Sequence, residues 1–323
     1  MGHCNRCTGA WARATMWILA GLLSGVPSVR AAEPAPRDYG QPADTLGTRP
    51  EPEPEEEGPN RGRVSLVVGN DFTTAYFFRG ILQERNGFIW QPYAELGISL
   101  FERDEGPVRG IGLGIGGWGS FQSAQTLATG EGPENIYEID FYPSLSIDWA
   151  GGLNSSVTYL LYTSPNGAFS TVQQIDLGLA YDDSDLLGAF ALNPAATFSF
   201  EVANTSFGSK KGGYFELAGG PGMDVSLPGD ETGDYPVTLT VPLAVGLSMY
   251  DYYESTDPTH NQTFGFFSFG LVAGVPLSFI PSDYGSWSLN AGINVLVLSD
   301  TLKEVNFDDN PYPVGTGSIV MEY

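Results

Sequence analysis

The stretch Val237–Met249, VTLTVPLAVGLSM, alternates without a break between large apolar residues and small or polar ones. Valine, leucine or methionine occupies every odd-numbered position, and threonine, proline, alanine, glycine or serine every even-numbered one. Successive side chains of a β-strand point to opposite faces, so a period of two over this length predicts a long strand with one apolar face.

The same alternation recurs from residue 63 to the end of the chain, in segments separated by polar, turn-rich breaks. No helical period is sustained in this region. We therefore expect about twelve strands, at 64–80, 88–101, 108–121, 135–149, 154–164, 169–182, 188–203, 213–225, 235–250, 263–277, 286–298 and 313–323.

The length of these segments favours a membrane barrel over a soluble β-sandwich. Strands of soluble proteins are commonly about 5–6 residues long, whereas a tilted strand needs about 9–11 residues to cross a bilayer. An even strand number also returns both chain ends to the periplasm. The predicted fold class is thus all-β, a transmembrane antiparallel β-barrel of about twelve strands in the bacterial outer membrane.

Two sets of residues bear on this prediction in opposite directions. Aromatic residues near predicted strand ends, such as Tyr76–Phe78, Trp118 and Tyr252, suggest rings at the lipid headgroup level. Prolines inside the predicted strands remove ladder hydrogen bonds and leave a soluble all-β protein as the alternative. These prolines are Pro92, Pro143, Pro194, Pro242 and Pro276.

The chain divides into three regions by composition. Residues 1–31 combine a basic start with a short apolar run and a small-residue cleavage site, which predicts a signal peptide. Residues 32–62 are rich in proline and glutamate and predict a disordered periplasmic tether. Residues 63–323 form the barrel. The formal net charge of −24 excludes nucleic acid as a partner.

The polar face of the strands carries acidic residues that would point into the barrel if the apolar face contacts lipid. Few basic residues are available to pair with them, so they predict either a hydrated lumen that favours cations or a closed interior with a structural polar network. The candidate lumen-lining residues are Arg79, Glu95, Glu138, Asp140, Asp148, Asp176, Glu201 and Glu216.

No pattern predicts a catalytic site, a metal site or a cofactor. One of the two histidines, His3, lies in the leader and the other, His260, in a loop, so we expect no histidine-dependent enzyme. The glycines of Gly110–Gly119 (GIGLGIGGWG) lie on an alternating strand and open no helix, so we expect them to relieve crowding inside the barrel.

Two stretches carry a family resemblance. Gly69–Gly80 (GNDFTTAYFFRG) resembles the first strand of a family of uncharacterised, porin-like outer-membrane barrel proteins, which closes on an aromatic-x-Arg-Gly motif. Val275–Leu296 (VPLSFIPSDYGSWSLNAGINVL) is similar to the same family. The resemblance covers about residues 63–323 and implies an outer-membrane barrel, but it implies no reaction.

These observations predict a passive channel for small neutral or cationic solutes. The alternative is a non-conducting structural or adhesion barrel that engages an envelope component through its acidic loops or its tether. The expected partners are outer-membrane lipids and, through the terminal aromatic Tyr323, the barrel-assembly machinery.

Overall fold

A computed structural model describes residues 63–124, 132–226, 236–254, 262–307 and 310–323. The predicted signal peptide, the predicted tether and the loop residue His260 lie outside these ranges. None of the helices within them is long and apolar enough to cross a membrane.

The described residues form a closed antiparallel barrel, in which each wall strand pairs with its neighbours and the first strand pairs with the last to complete the ring. The strands are β1 (Val64–Thr73), β2 (Tyr76–Phe78), β3 (Ile81–Glu84), β4 (Ile89–Glu102), β5 (Val108–Gln122), β6 (Ile136–Trp149), β7 (Leu153–Thr163), β8 (Val172–Tyr181), β9 (Ala195–Ala203), β10 (Gly213–Gly219), β11 (Gly222–Ser226), β12 (Pro236–Thr240), β13 (Leu243–Tyr250), β14 (Phe264–Pro276), β15 (Ser286–Leu298) and β16 (Tyr312–Glu322).

Twelve strands make the barrel wall, as the sequence predicts. Strands β10 and β11 are two parts of one wall strand, and β12 and β13 are two parts of the next, because both halves of the second pair with β14. Strands β2 and β3 pair only with each other and stand apart from the wall.

Two predicted boundaries are wrong. The first wall strand ends at Thr73 and not at residue 80, because Tyr76–Glu84 turns back on itself as a separate hairpin. The strand predicted at 188–203 begins only at Ala195, after helix α1 (Ser184–Leu187) and a 3-10 turn. In both places the apolar residues pack against other elements or lie exposed instead of extending the ladder.

Three of the five prolines fall where the ladder is already interrupted, whereas Pro194 lies just before β9 and Pro276 is the last residue of β14, in register with Ser288. Pro242 lies in the break between β12 and β13. Pro92 lies in a gap of the β4–β5 register, and Pro143 lies in a gap of the β6–β7 register. A proline is compatible with a strand where its nitrogen faces no ladder partner. Pro92, Pro143 and Pro242 therefore do not argue against the barrel strands.

The outer surface of the wall is an apolar band, which makes the barrel a transmembrane one. Its residues belong to the parity that faces away from the interior and are each more than a third exposed. Representative members are Leu96, Leu113, Ile115, Phe141, Leu145, Val157, Leu177, Leu179, Leu217, Leu243, Phe269, Leu271, Leu289 and Ile293.

In bacterial barrels both chain ends lie on the periplasmic side, and here Val64 and Glu322 mark the same end of the barrel. We call this end periplasmic and the opposite end extracellular. The connection 74–88 and helix α2 (Asp300–Val305) both lie at the extracellular end, next to Thr73 and Leu298.

Several aromatic residues that the sequence assigns to the membrane interface lie inside the barrel instead. Tyr252 and Tyr253 have no exposed surface, and Trp118 is 4% exposed. They belong to two apolar clusters that fill the extracellular half of the interior. The interface prediction is therefore wrong for these rings, because an aromatic side chain can be removed from water in the lumen as well as at the headgroups.

Candidate functional site: the barrel interior

The main interior feature is the hairpin Tyr76–Glu84, which folds into the extracellular half of the barrel and which we call the lumen hairpin. Its turn residues, Arg79 and Gly80, have φ angles of 50° and 79°, as a two-residue type I′ hairpin requires. Glycine adopts this conformation freely, and a side chain at Gly80 would also crowd Leu302 and Phe266.

Arg79 is the polar tip of the lumen hairpin and is 3% exposed. Its guanidinium donates hydrogen bonds to Gln174 Oε1 (2.9 Å), Tyr252 Oη (3.1 Å) and Ser199 Oγ (2.8 Å). It also forms an ion pair with Asp176, with 3.9 Å between Nη2 and Oδ2. The hairpin is thereby attached to wall strands β8 and β9.

Aromatic rings surround the same guanidinium. Its central carbon lies 4.2 Å from the ring centroid of Tyr214, 5.1 Å from that of Phe78 and 5.3 Å from that of Tyr252. Cation–π contacts of this kind gain strength when water is excluded. Arginine in the left-handed region of φ is unfavourable, so these contacts compensate a strained backbone.

Other hairpin contacts are made by side chains of the wall and of the loops. Asn306, after helix α2, accepts from the Leu82 amide (2.8 Å) and donates to the Gly80 carbonyl (2.7 Å). The Tyr253 hydroxyl donates to the Arg79 carbonyl (2.8 Å), and the Tyr76 hydroxyl donates to Glu138 Oε2 (2.7 Å). The hairpin is held by side chains and not by a strand ladder.

The structure brings three of the sequence-predicted residues together at the hairpin tip. Arg79 contacts Asp176, and Glu216 lies within electrostatic range of both. Glu216 also accepts a hydrogen bond from Tyr214. Arg79 lies deep in the lumen and not at the outer rim, because it is carried there by the hairpin.

Two further predicted residues are brought together on β6, where the carboxyl groups of Glu138 and Asp140 are hydrogen-bonded to each other. Glu138 also accepts from Tyr76 as described. Glu201 accepts from the backbone amides of the loop 204–212, and Asp148 accepts from Asn154 (2.7 Å) near the periplasmic end.

Exposure divides the acidic residues into two sets. Glu138, Asp176, Glu201 and Glu216 are buried, whereas Glu95, Asp140 and Asp148 are partly exposed. The buried ones lie beside the lumen hairpin or the extracellular loops. The partly exposed ones line the inner wall on β4 and β6.

Sequence reasoning missed several interior residues. Asp71 is 5% exposed and shares the inward parity of Val67 and Thr73, so the period-two pattern alone could have found it. The wall residues that bind Arg79, namely Gln174, Ser199 and Tyr214, have no local signature. The lumen hairpin does have a local sequence signature, because Arg79-Gly80 between two short apolar runs is a turn signal.

Outside the wall, a loop contact joins two extracellular connections. Glu254 accepts hydrogen bonds from the Ser209 amide (2.7 Å) and hydroxyl (2.9 Å) and lies 3.7 Å from Lys210 Nζ. These donors hold the pKa of Glu254 below its usual range. Within the described ranges, no group of three or more His, Cys, Asp or Glu side chains is arranged to hold a metal ion.

No protein-family model matches the sequence, and no curated protein matches it. Solved structures of similar shape include an outer-membrane channel from Pseudomonas putida F1, at 13% identity and a TM-score of 0.41, covering 90% of this chain and all of the other. The NanC porin has 9% identity and a TM-score of 0.39, covering 80% and 98%.

LpxR from Salmonella typhimurium is similar at 8% identity and a TM-score of 0.38, covering 80% of this chain and 99% of the other. At these identities no solute, reaction or partner is transferred to the present chain.

Proposed function

We propose that the protein is an outer-membrane channel for small neutral or cationic solutes that rests closed, with the lumen hairpin as its plug. The observation that carries the proposal is that β2 and β3 form a two-stranded sheet of their own, with no ladder to the described wall strands. A plug held by side chains alone is able to leave without breaking the barrel.

Two further features support a channel. The inner wall carries the partly exposed acids Glu95, Asp140 and Asp148, as a hydrated cation pathway would. Many inward residues of β5 and β6 near these acids are small, for example Gly112, Gly114, Ser144 and Ser146. Small inward residues leave room for solvent in a twelve-stranded barrel.

The second candidate function is a non-conducting structural or adhesion barrel. The observation in its favour is the close packing at the extracellular end, where Tyr252, Tyr253 and Leu302 have no exposed surface. The two candidates differ in one property, which is whether displacement of the hairpin opens a continuous path.

Planar-bilayer conductance tests this property. We expect the wild-type protein to open rarely, and we expect either Arg79→Met or replacement of residues 76–84 by a glycine-serine linker to give frequent, cation-selective openings. Lys303→Met removes a partly exposed charge at the same end of the barrel and serves as the matched control.

A disulfide lock provides the converse test, because the chain has no cysteine after Cys7. The Leu82 amide lies 2.8 Å from the Asn306 side chain, so Leu82→Cys with Asn306→Cys ties the hairpin to the loop that follows β15. The oxidised pair should stay closed, and the reduced pair should open more often than the wild type because it lacks the two Asn306 hydrogen bonds to the hairpin. Silence of the linker variant, with the barrel folded, would reject the channel in favour of the structural barrel.

A further inference from the structure

A group of acidic and aromatic side chains lies on the inner wall beside the lumen hairpin, on β1, β4, β5 and β6. We call it the acidic-aromatic patch. Its members are inward-facing residues of neighbouring strands, namely Asp71, Tyr93, Glu95, Trp118, Asp140 and Tyr142. The Trp118 ring centroid is 5.4 Å from that of Tyr76 in the hairpin.

The strand registers place these side chains side by side. Tyr93 pairs with Trp118, and Trp118 pairs with Asp140. The Tyr93 phenol is within electrostatic range of Asp71 and Glu95, and the Tyr142 phenol is within range of Glu95 and Asp140. Two tyrosine rings are therefore bracketed by three carboxylates.

Two glycines set the orientation of the rings. The Tyr93 ring lies directly over Gly69 of β1, and the Tyr142 ring lies directly over Gly116 of β5, so that a methyl group at either glycine would overlap the ring. The rings consequently lie against the wall instead of crossing the lumen. Tyr93 is partly exposed and presents aromatic surface to the interior.

Two polar atoms of the patch, Asp71 Oδ1 and Trp118 Nε1, have no hydrogen-bond partner among the described residues. The Asp140 carboxyl group, in contrast, is hydrogen-bonded to the Glu138 carboxyl group. Asp71 is 5% exposed and Trp118 is 4% exposed, so bulk water does not compensate them fully. A buried polar atom without a partner is costly, which favours a ligand that brings a positive charge and a hydrogen-bond acceptor.

The carboxyl groups of the patch have no basic partner among the described residues. Asp176, Glu254 and Asp300 form ion pairs with described bases, whereas no described base forms an ion pair with Asp71, Glu95 or Asp140. Hard metal ions require several converging oxygen ligands, whereas the patch spreads its carboxylates over separate strands with rings between them. Aromatic faces beside carboxylates suit weakly hydrated organic cations instead.

We propose that the acidic-aromatic patch binds small organic ammonium ions, with the carboxylates of Asp71, Glu95 and Asp140 around the charge and the Tyr93 ring against its apolar surface. The Trp118 indole N–H donates to a hydroxyl group of the ligand where one is present. This inference rests on the proposed channel function and names its solute class.

Choline chloride is the probe, titrated calorimetrically into the detergent-solubilised protein at constant ionic strength. We expect choline to bind, and we expect Asp71→Asn, Asp140→Asn and Tyr93→Leu each to weaken binding by about fivefold or more. The matched control is Asp185→Asn, the same change at an exposed residue of helix α1, outside both the patch and the proposed pathway. It should bind choline as the wild type does.

Two competitors separate the explanations. Dimethylbutanol, the neutral carbon isostere of choline, should not compete; if it binds equally well, the site is apolar and the proposal is wrong. Sodium at equal concentration should not compete either; if it does, the patch only collects counter-ions and the proposal is again wrong.

The conductance experiment tests the channel and the choline titration tests the patch, so either proposal can be rejected without the other. Choline binding by a barrel whose linker variant never conducts would retain the patch and reject the channel. Conductance by a barrel in which the patch variants bind choline unchanged would retain the channel and reject the patch. Heat-modifiable mobility of every variant on gels shows whether its barrel is folded, and Tyr93→Leu keeps the test available if an aspartate variant does not fold.

Discussion

Arg79, in the turn of the lumen hairpin, forms an ion pair with Asp176 on wall strand β8, with 3.9 Å between Nη2 and Oδ2 and both side chains 1% exposed. Breaking a buried pair by removing one partner typically costs about 3–5 kcal/mol, because the remaining charge stays buried. We expect Arg79→Met to lower the free energy of unfolding by that amount, measured by guanidinium unfolding in lipid vesicles.

The double variant Arg79→Met with Asp176→Asn should recover part of this loss, because it removes the uncompensated carboxylate. Lys303→Met is the control, since its partner Asp300 is 91% exposed and exposed pairs contribute about 0–1 kcal/mol. Equal destabilisation by Arg79→Met and Lys303→Met would contradict the structural role of the buried pair.

Adjacent glycines of β5 should tolerate alanine differently. Gly116 faces inward beneath the Tyr142 ring, whereas a methyl group at Gly117 would meet only the Asp140 carbonyl, at 3.5 Å. Overpacking typically costs about 1–3 kcal/mol, so we expect Gly116→Ala to lower the unfolding free energy by this amount and Gly117→Ala to leave it nearly unchanged. If Gly117→Ala instead unfolds at a lower denaturant concentration than Gly116→Ala, then the inward and outward faces of β5 are assigned the wrong way round.

An arginine in the outer apolar band should destabilise the barrel more when it lies closer to the bilayer midplane. Leu177 pairs with Val157, which pairs with Leu145, in the middle of three wall strands. Arginine at the bilayer midplane of a barrel costs about 2–4 kcal/mol, falling to about 0–1 kcal/mol near the interfaces. We expect Leu177→Arg to be destabilising in vesicles and Leu153→Arg, at the periplasmic end of β7, to be nearly neutral. Equal costs would argue against a lipid-facing band.

The loop contact of Glu254 should respond to acid. The Ser209 hydrogen bonds and the Lys210 charge hold the pKa of Glu254 below its ordinary value of 4.5. A depressed folded-state pKa means that the contact contributes stability above the unfolded value and loses it as the pH falls through the folded value. The Ser209 amide resonance should therefore titrate with a midpoint below 4.5.

Glu254→Gln mimics the protonated state at neutral pH. It should speed trypsin cleavage after Lys210 and Lys211, because the loop 204–212 loses its charged acceptor. Glu304→Gln, at an exposed residue of helix α2 at the same end of the barrel, controls for a general change of loop charge. An unchanged cleavage rate in Glu254→Gln would mean that the contact does not restrain the loop.

The glycine-rich segment of β5 shows how far sequence reasoning reached into the candidate site. The sequence predicts that these glycines relieve crowding inside the barrel, and Gly116 does so beneath the Tyr142 ring. The ring that needs the space lies on another strand, however, at a position that the local pattern does not identify. The same limit applies to Arg79, whose partners on β8, β9 and β10 are distant along the chain.

The sequence by itself determined the number of wall strands and the face that each residue of the wall presents, because side-chain direction in a strand alternates with a period of two whatever the tertiary structure. Only the tertiary structure decided what fills the barrel. Whether a hairpin such as Tyr76–Glu84 points into the lumen or into water depends on contacts between distant strands, and those contacts leave no periodic trace in the local sequence.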